Sequence, residues 1–201
     1  MDCGPVIREG GQVAEGSFHA NCRLILGELE QALGAVDESQ VEMLVAAILQ
    51  AEKVFAVGLG RVFLSLQAMV KRLNHLGVRA WCVGEINEPA ITEKDLLIVG
   101  SGTGESAVPL AIARAARRYS ARVAHIGSNP ASSLAPLTDI FVRVPVQTRL
   151  SLPGETPSRQ IMTSLFEQCL LLIGDAIALT IAERKGLSDM KSLWRFHANL
   201  E

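Results

Sequence analysis

Apolar positions in this chain change period as it runs. Residues 18–36 and 41–51 place them at helical spacing, and Asp37 with Gln40 three residues on resembles a capping box opening the second helix. From residue 53 the pattern becomes short apolar runs separated by helix-like stretches. The runs at 53–57, 79–83, 95–99, 122–126 and 139–144 read as strands, and 61–76, 107–119 and a short 132–137 read as helices. In the first of these helices Leu66, Met69, Val70, Leu73 and Leu76 share one side, and Gly77 closes it. Residues 145–158, with three prolines and a glycine, read as a loop. A long helix follows over 159–185, apolar on nearly every side from Leu165 to Ile181. A helix of that kind has to be buried in the core or between subunits.

Five short strands separated by helices predict a three-layer α/β/α domain around a five-stranded parallel sheet covered on both faces. Residues 1–17 are expected to form a loose arm and 18–201 a single domain. The Gly-rich turns at 58–60 and 100–104 both follow strands, so both fall on the carboxyl edge of the sheet. In open parallel sheets, ligands bind at that edge near a topological switch point.

The second turn carries the clearest chemistry. Ser101, Gly102, Thr103, Gly104, Glu105 and Ser106 lie between an apolar strand and a helix start. Glycines let backbone N–H groups approach an anion, the three hydroxyls add donors, and the helix N-terminus adds a positive dipole end. No Gly-Lys-Ser/Thr closes the turn and no clean GxGxxG is present, so a small phosphorylated ligand is expected rather than a nucleotide. Arg61 and Val62 follow the first turn. A guanidinium there can hold phosphate or sugar hydroxyls, and it can equally be a surface arginine at a helix start.

Composition narrows the partners. The 201 residues carry a net charge of −2 with no basic stripe, and only 4% are aromatic. Nucleic acid and acidic membranes are therefore not expected as main partners. Cys3, Cys22, Cys82 and Cys169 are too scattered for a disulfide framework or a zinc site and read as buried free thiols. The first residues show no basic segment followed by an apolar one, and no run is expected to reach the ~20 apolar residues of a membrane span. A reducing cytoplasm is the expected setting.

Glu167 is the only acidic residue between Thr156 and Ile173, at the start of the long apolar helix. It can complement the helix dipole, or it can act as a base whose pKa partial burial brings toward working pH. His197, near the chain end, reads by itself as a solvated residue. His75 reads as a packed histidine or a site residue. Glu85 and Glu105 flank the cleft, and Glu105 would repel a phosphate unless turned away; it reads as solvent-facing or supporting the loop from behind.

Taken in order, several segments resemble the sugar isomerase (SIS) domain family, and within it the 6-phospho-3-hexuloisomerases. They are Gly58 to Arg61, Lys71 to Gly77, Val83 to Glu85 with Pro89 and Ala90, Ser101 to Ser106, Ser128 to Pro130, Met162 to Gln168, and Arg195 to Glu201. The resemblance implies a flavodoxin-like domain, tetrameric, using no metal or organic cofactor. It implies an isomerase moving a carbonyl between C3 and C2 of a hexulose 6-phosphate to give fructose 6-phosphate. The loop 101–106 would hold the phosphate, Glu167 would be the base, and the tail with His197 would reach an active site, its own or a neighbour's. Three departures bear on substrate identity. Val62 stands where relatives usually have Ser, Ile86, Asn87 and Glu88 where they have threonines, and Gly127 where Thr is common. Polar groups of that kind discriminate substrates strongly. Another phosphorylated or sulfonated sugar, or a sugar-phosphate sensor without catalysis, are the alternative readings.

Overall fold

The computed structural model describes residues 16–187 together with 189, 193 and 194. Residues 1–15 of the arm expected over 1–17, with Cys3 among them, and His197 lie outside the described residues. Serine and aspartate open the first two helices. Ser17 Oγ accepts from Ala20 N at 3.2 Å ahead of α1 (Phe18–Gly34), and Asp37 Oδ1 accepts from Ser39 N at 2.9 Å ahead of α2 (Glu38–Gln50). The capping box is only half formed. Gln40 Oε1 accepts instead from Arg143 N at 2.8 Å, tying α2 to the last strand.

The apolar runs become β1 (Val54–Val57), β2 (Ala80–Cys82), β3 (Leu96–Gly100), β4 (Arg122–Gly127) and β5 (Ile140–Arg143), all parallel, in the order β2-β1-β3-β4-β5. Helices α3 (Gly60–His75) and α4 (Ala107–Arg118) make crossovers, and α5 (Ser164–Arg184) ends the regular structure. Alternate side chains feed two cores. Val54, Ala56, Leu96 and Ile98 point to the side covered by α2, α3 and α5, while Phe55, Val57, Leu97 and Val99 point to the side covered by α4. Burial on both faces explains why the strands read as unbroken apolar runs. The chain order reverses between β1 and β3, so the switch point lies where both Gly-rich turns leave the sheet.

Helix α5 starts at Ser164, not at 159, for a physical reason. Glu28 of α1 takes up the preceding backbone, accepting from Arg159 N at 2.8 Å, Ser158 Oγ at 2.7 Å and Gln160 Nε2 at 3.0 Å, and Met162 sits at φ 57°. Burial raises the Glu28 pKa, but these hydrogen bonds outweigh it and hold the carboxyl below its usual range. α5 buries Leu165, Phe166, Leu170, Ile173, Ile177 and Ile181 and leaves Leu171, Leu172 and Leu179 exposed. The expectation that no run is apolar enough to cross a membrane is corrected here. By length and composition α5 qualifies, and half of it packs into this domain's own core.

Candidate active site

The strongest structural feature of the loop after β3 is that its inward groups are already satisfied. Ser101 is buried; its Oγ accepts from Gly104 N at 3.1 Å and donates to Ser106 Oγ at 3.3 Å. Gly102 O accepts from Ser128 N at 2.8 Å and Asn129 N at 3.2 Å, and Thr103 O accepts from Asn129 Nδ2 at 3.2 Å. What remains is donors. Nothing among the described residues accepts from the Gly102, Thr103 or Ser106 N–H, and the first N–H groups of α4 have no intrahelical acceptor. Thr103 Oγ1 and Ser106 Oγ act only as acceptors here, so each keeps a hydroxyl hydrogen. Ser106 precedes α4 without capping it. The result is a cluster of N–H and O–H donors at a helix start, the arrangement an anion requires.

Two glycines make this loop geometrically possible. Gly104 adopts φ 68°, and a Cβ there would fall 2.3 Å from Ser132 Oγ. Gly127, at the end of β4, faces the His125 ring, whose Nε2 is 2.9 Å from Ser101 O. His125 is 1% exposed, and burial pushes its pKa down to about 4, partly countered by the bond to Ser101. This histidine had no assigned role in the sequence. A histidine inside an apolar strand gave no signal; the Gly127 departure, two residues away, was the trace of it.

Across the switch point, Arg61 in the first turn of α3 meets Glu167 in the first turn of α5. Arg61 Nε lies 2.9 Å from Glu167 Oε2, and Thr163 Oγ1 donates to Glu167 Oε1 at 3.0 Å. Ser65 Oγ donates to Glu167 O at 2.8 Å and so pins α5 to α3. The Glu167 side chain is 12% exposed and Arg61 62%. Both line a cleft of about 270 Å³ with Leu64, Ser65, Ala68, Gln168 and Leu171. Phe166 and Leu170, the neighbours of Glu167 on α5, pack against Gly102 and Gly100. The helix that carries the carboxylate therefore rests directly on the β3 exit and its loop.

Other residues singled out in the sequence fall elsewhere. Glu105 is turned from the donors onto Ser133, accepting from its N at 2.7 Å and Oγ at 2.6 Å. Those bonds hold the carboxyl below its usual pKa. Val62 packs inward against Gly58 and Gly100 and presents no polar group. Glu88 accepts from Gly84 N at 2.7 Å within its own turn. His75 ends α3, about 20 Å along the helix from Arg61 at 1.5 Å per residue. Among the described residues no three His, Cys, Asp or Glu side chains gather as metal ligands. Also unforeseen was the brace formed by Glu155, which accepts from Thr148 N at 3.1 Å, Thr148 Oγ1 at 3.0 Å, Leu152 N at 2.9 Å and Ser128 Oγ at 2.9 Å. It fixes the 145–158 loop beside Gly102, which Thr148 Cγ2 also approaches.

Curated proteins resemble this chain over most of its length. The chain is 37% identical over 177 residues to the 3-hexulose-6-phosphate isomerase of Bacillus subtilis, spanning 88% of this chain and 95% of that one. It is 35% identical over 181 residues to the 3-hexulose-6-phosphate isomerase of Mycobacterium gastri, 90% of each chain. A Methanococcus jannaschii protein, whose crystal structure was used to infer a function of 3-hexulose-6-phosphate isomerase, superposes with a TM-score of 0.75. Its identity is 25%, over 90% of this chain and 99% of that one. No protein-family model matches the chain. On this sequence and structural similarity, the chain belongs to the 3-hexulose-6-phosphate isomerase family of sugar isomerase (SIS) domain proteins.

Proposed function

We propose that the protein converts 3-hexulose 6-phosphate to fructose 6-phosphate, with Glu167 as the base and the 101–106 loop as the phosphate holder. The observation that carries this reading is the placement of one carboxylate, oriented by Thr163 and Arg61, on the helix packed against the donor-rich loop. Glu167 takes the proton from C2 of the hexulose, and the electron pair moves through an enediolate onto the C3 oxygen. The resulting carboxylic acid returns the proton to C3 as C2 becomes the carbonyl. A hydroxyl proton moves from O2 to O3, a transfer an imidazole can carry and for which His197 is the proposed carrier. The internal redox change balances between C2 and C3. Arg61 contributes positive charge where enediolate charge develops, and the Gly102, Thr103 and Ser106 donors bind the phosphate.

Leu64 and Leu171 at the cleft and Leu172 and Leu179 elsewhere on α5 are exposed, which supports an oligomer, and we take it to be a homotetramer. The thiols of Cys22, Cys82 and Cys169 are free, which fits a reducing cytoplasm. Incubation with 3-hexulose 6-phosphate is expected to yield fructose 6-phosphate. Binding of the sugar phosphate with no turnover would overturn the enzymatic reading.

A further inference from the structure

Between the phosphate loop and the end of β4 lies the imidazole of His125, a group the reaction does not use. The ring fills the space that side chains at two glycines would occupy. A Cβ on Gly127 would fall 2.3 Å from Nε2, and one on Gly104 would fall 3.1 Å from Cε1. Ser101 O, which accepts from Gly104 N at 3.2 Å, lies 2.9 Å from Nε2. A carbonyl can only accept, so Nε2 carries the hydrogen and donates it. Nδ1 is buried with no partner among the described residues, as suits the neutral ring.

This bond has a consequence one atom further along the chain. The 101–102 peptide is trans, so the Gly102 N–H points opposite to the Ser101 carbonyl. A carbonyl held toward the buried ring leaves the Gly102 N–H directed away from it, and nothing among the described residues accepts that N–H. We infer that His125 is a positioning residue for anion binding, its Nε2–H fixing the Ser101 peptide so that the Gly102 N–H is presented to the phosphoryl group. His125 does not touch substrate, and the inference rests on the loop being the phosphate site of the proposed reaction.

The variants to compare are His125→Leu, which removes the donor at similar volume, and His125→Gln, which keeps an N–H at the ε position. His125→Asn, too short to reach Ser101 O, replaces the leucine variant if that one fails to melt cooperatively. Each is titrated calorimetrically with inorganic phosphate and with fructose 6-phosphate, and KM and kcat are measured separately. Removing the donor is expected to weaken both ligands about tenfold and raise KM alike, with kcat within about threefold, while the glutamine variant stays near wild type. Wild-type affinity in the leucine variant overturns the inference, as does equal weakening in the leucine and glutamine variants, since ring packing would then be responsible. Wild-type protein with no measurable phosphate binding overturns it outright. If wild type binds phosphate with the expected variant pattern yet turns over no hexulose, the positioning role stands and the proposed reaction falls.

Discussion

Replacing Gly127 with alanine adds one methyl group at a crowded backbone position beside the 101–106 loop. The new Cβ would lie 2.3 Å from His125 Nε2, 2.5 Å from Ser101 O and 2.7 Å from His125 Cε1. Ordinary contacts between such atoms need about 1 Å more. The backbone cannot easily yield, because Gly127 pairs with Arg143 in the sheet and its carbonyl accepts from Val144 N at 2.8 Å. Ser101 N is likewise held by Ile126 O at 3.1 Å. Relief must therefore separate the ring from Ser101 O. Losing that bond costs about 1 kcal/mol net, and overpacking of this kind typically costs about 1–3 kcal/mol. We expect a total near 3 kcal/mol. For a chain of this size that lowers Tm by roughly 6–12 °C.

The same substitution in open space supplies the control. Gly27 sits mid-way in α1 with nothing within 4 Å of a built Cβ. Alanine there is expected to stabilise by about 0.5–1 kcal/mol through helix propensity alone. Thermal and urea unfolding followed by far-ultraviolet circular dichroism, at neutral pH and one protein concentration, compares the two. A Gly127→Ala protein melting with Gly27→Ala would refute the packing described around His125.

Further outcomes follow from the same contacts. His125 binds a proton more readily unfolded, at pKa 6.5, than folded, at about 4. The unfolded state therefore holds more protons in that window, and stability is complete above pH 6.5 and falls toward pH 4 by up to about 3 kcal/mol. Asp139, which shares the ring's cavity, is already committed to Arg117 at 2.7 Å. Unfolding free energies measured across the window should lose this slope in His125→Leu, and an unchanged slope would contradict the assignment. Glu28→Ala strands three donors ahead of α5 and should cost about 1–2 kcal/mol in urea unfolding while lowering kcat; no change in either would show that the tether is idle. Thr163→Val removes the hydroxyl that holds Glu167 and should cut kcat about fivefold at unchanged phosphate affinity, whereas an unchanged kcat would show that the carboxylate is oriented without it.

Legibility in the sequence depended on how local each cause was. The five strands could be read because both faces of the sheet are buried, and Asp37 acts through atoms within three residues of itself, whereas the Ser17 cap, inside the expected arm, was not read. The start of α5 could not, since Glu28, some 130 positions away, decides where residues 158–160 lie. Gln40 was misread for the same reason, its acceptor being spent on β5. In the site, the hydroxyl-glycine loop and the lone carboxylate announced themselves by composition and isolation. Glu105 was expected to turn from an anion by charge repulsion, and it does turn, onto Ser133, a partner 28 residues away that the sequence could not name. Val62, seen in the sequence as a lost hydroxyl, packs under the two glycine turns. His125 gave no signal of its own, because the carbonyl it bonds lies just past a neighbouring strand, and only Gly127 hinted at the ring.

The most direct measurement is proton exchange into fructose 6-phosphate in deuterated water, followed by nuclear magnetic resonance, in wild type and Glu167→Gln. Deuterium should enter at C3 with wild type, and the glutamine variant should exchange about a thousandfold more slowly while binding the sugar phosphate with unchanged affinity. Equal exchange in the two proteins would contradict Glu167 as the base.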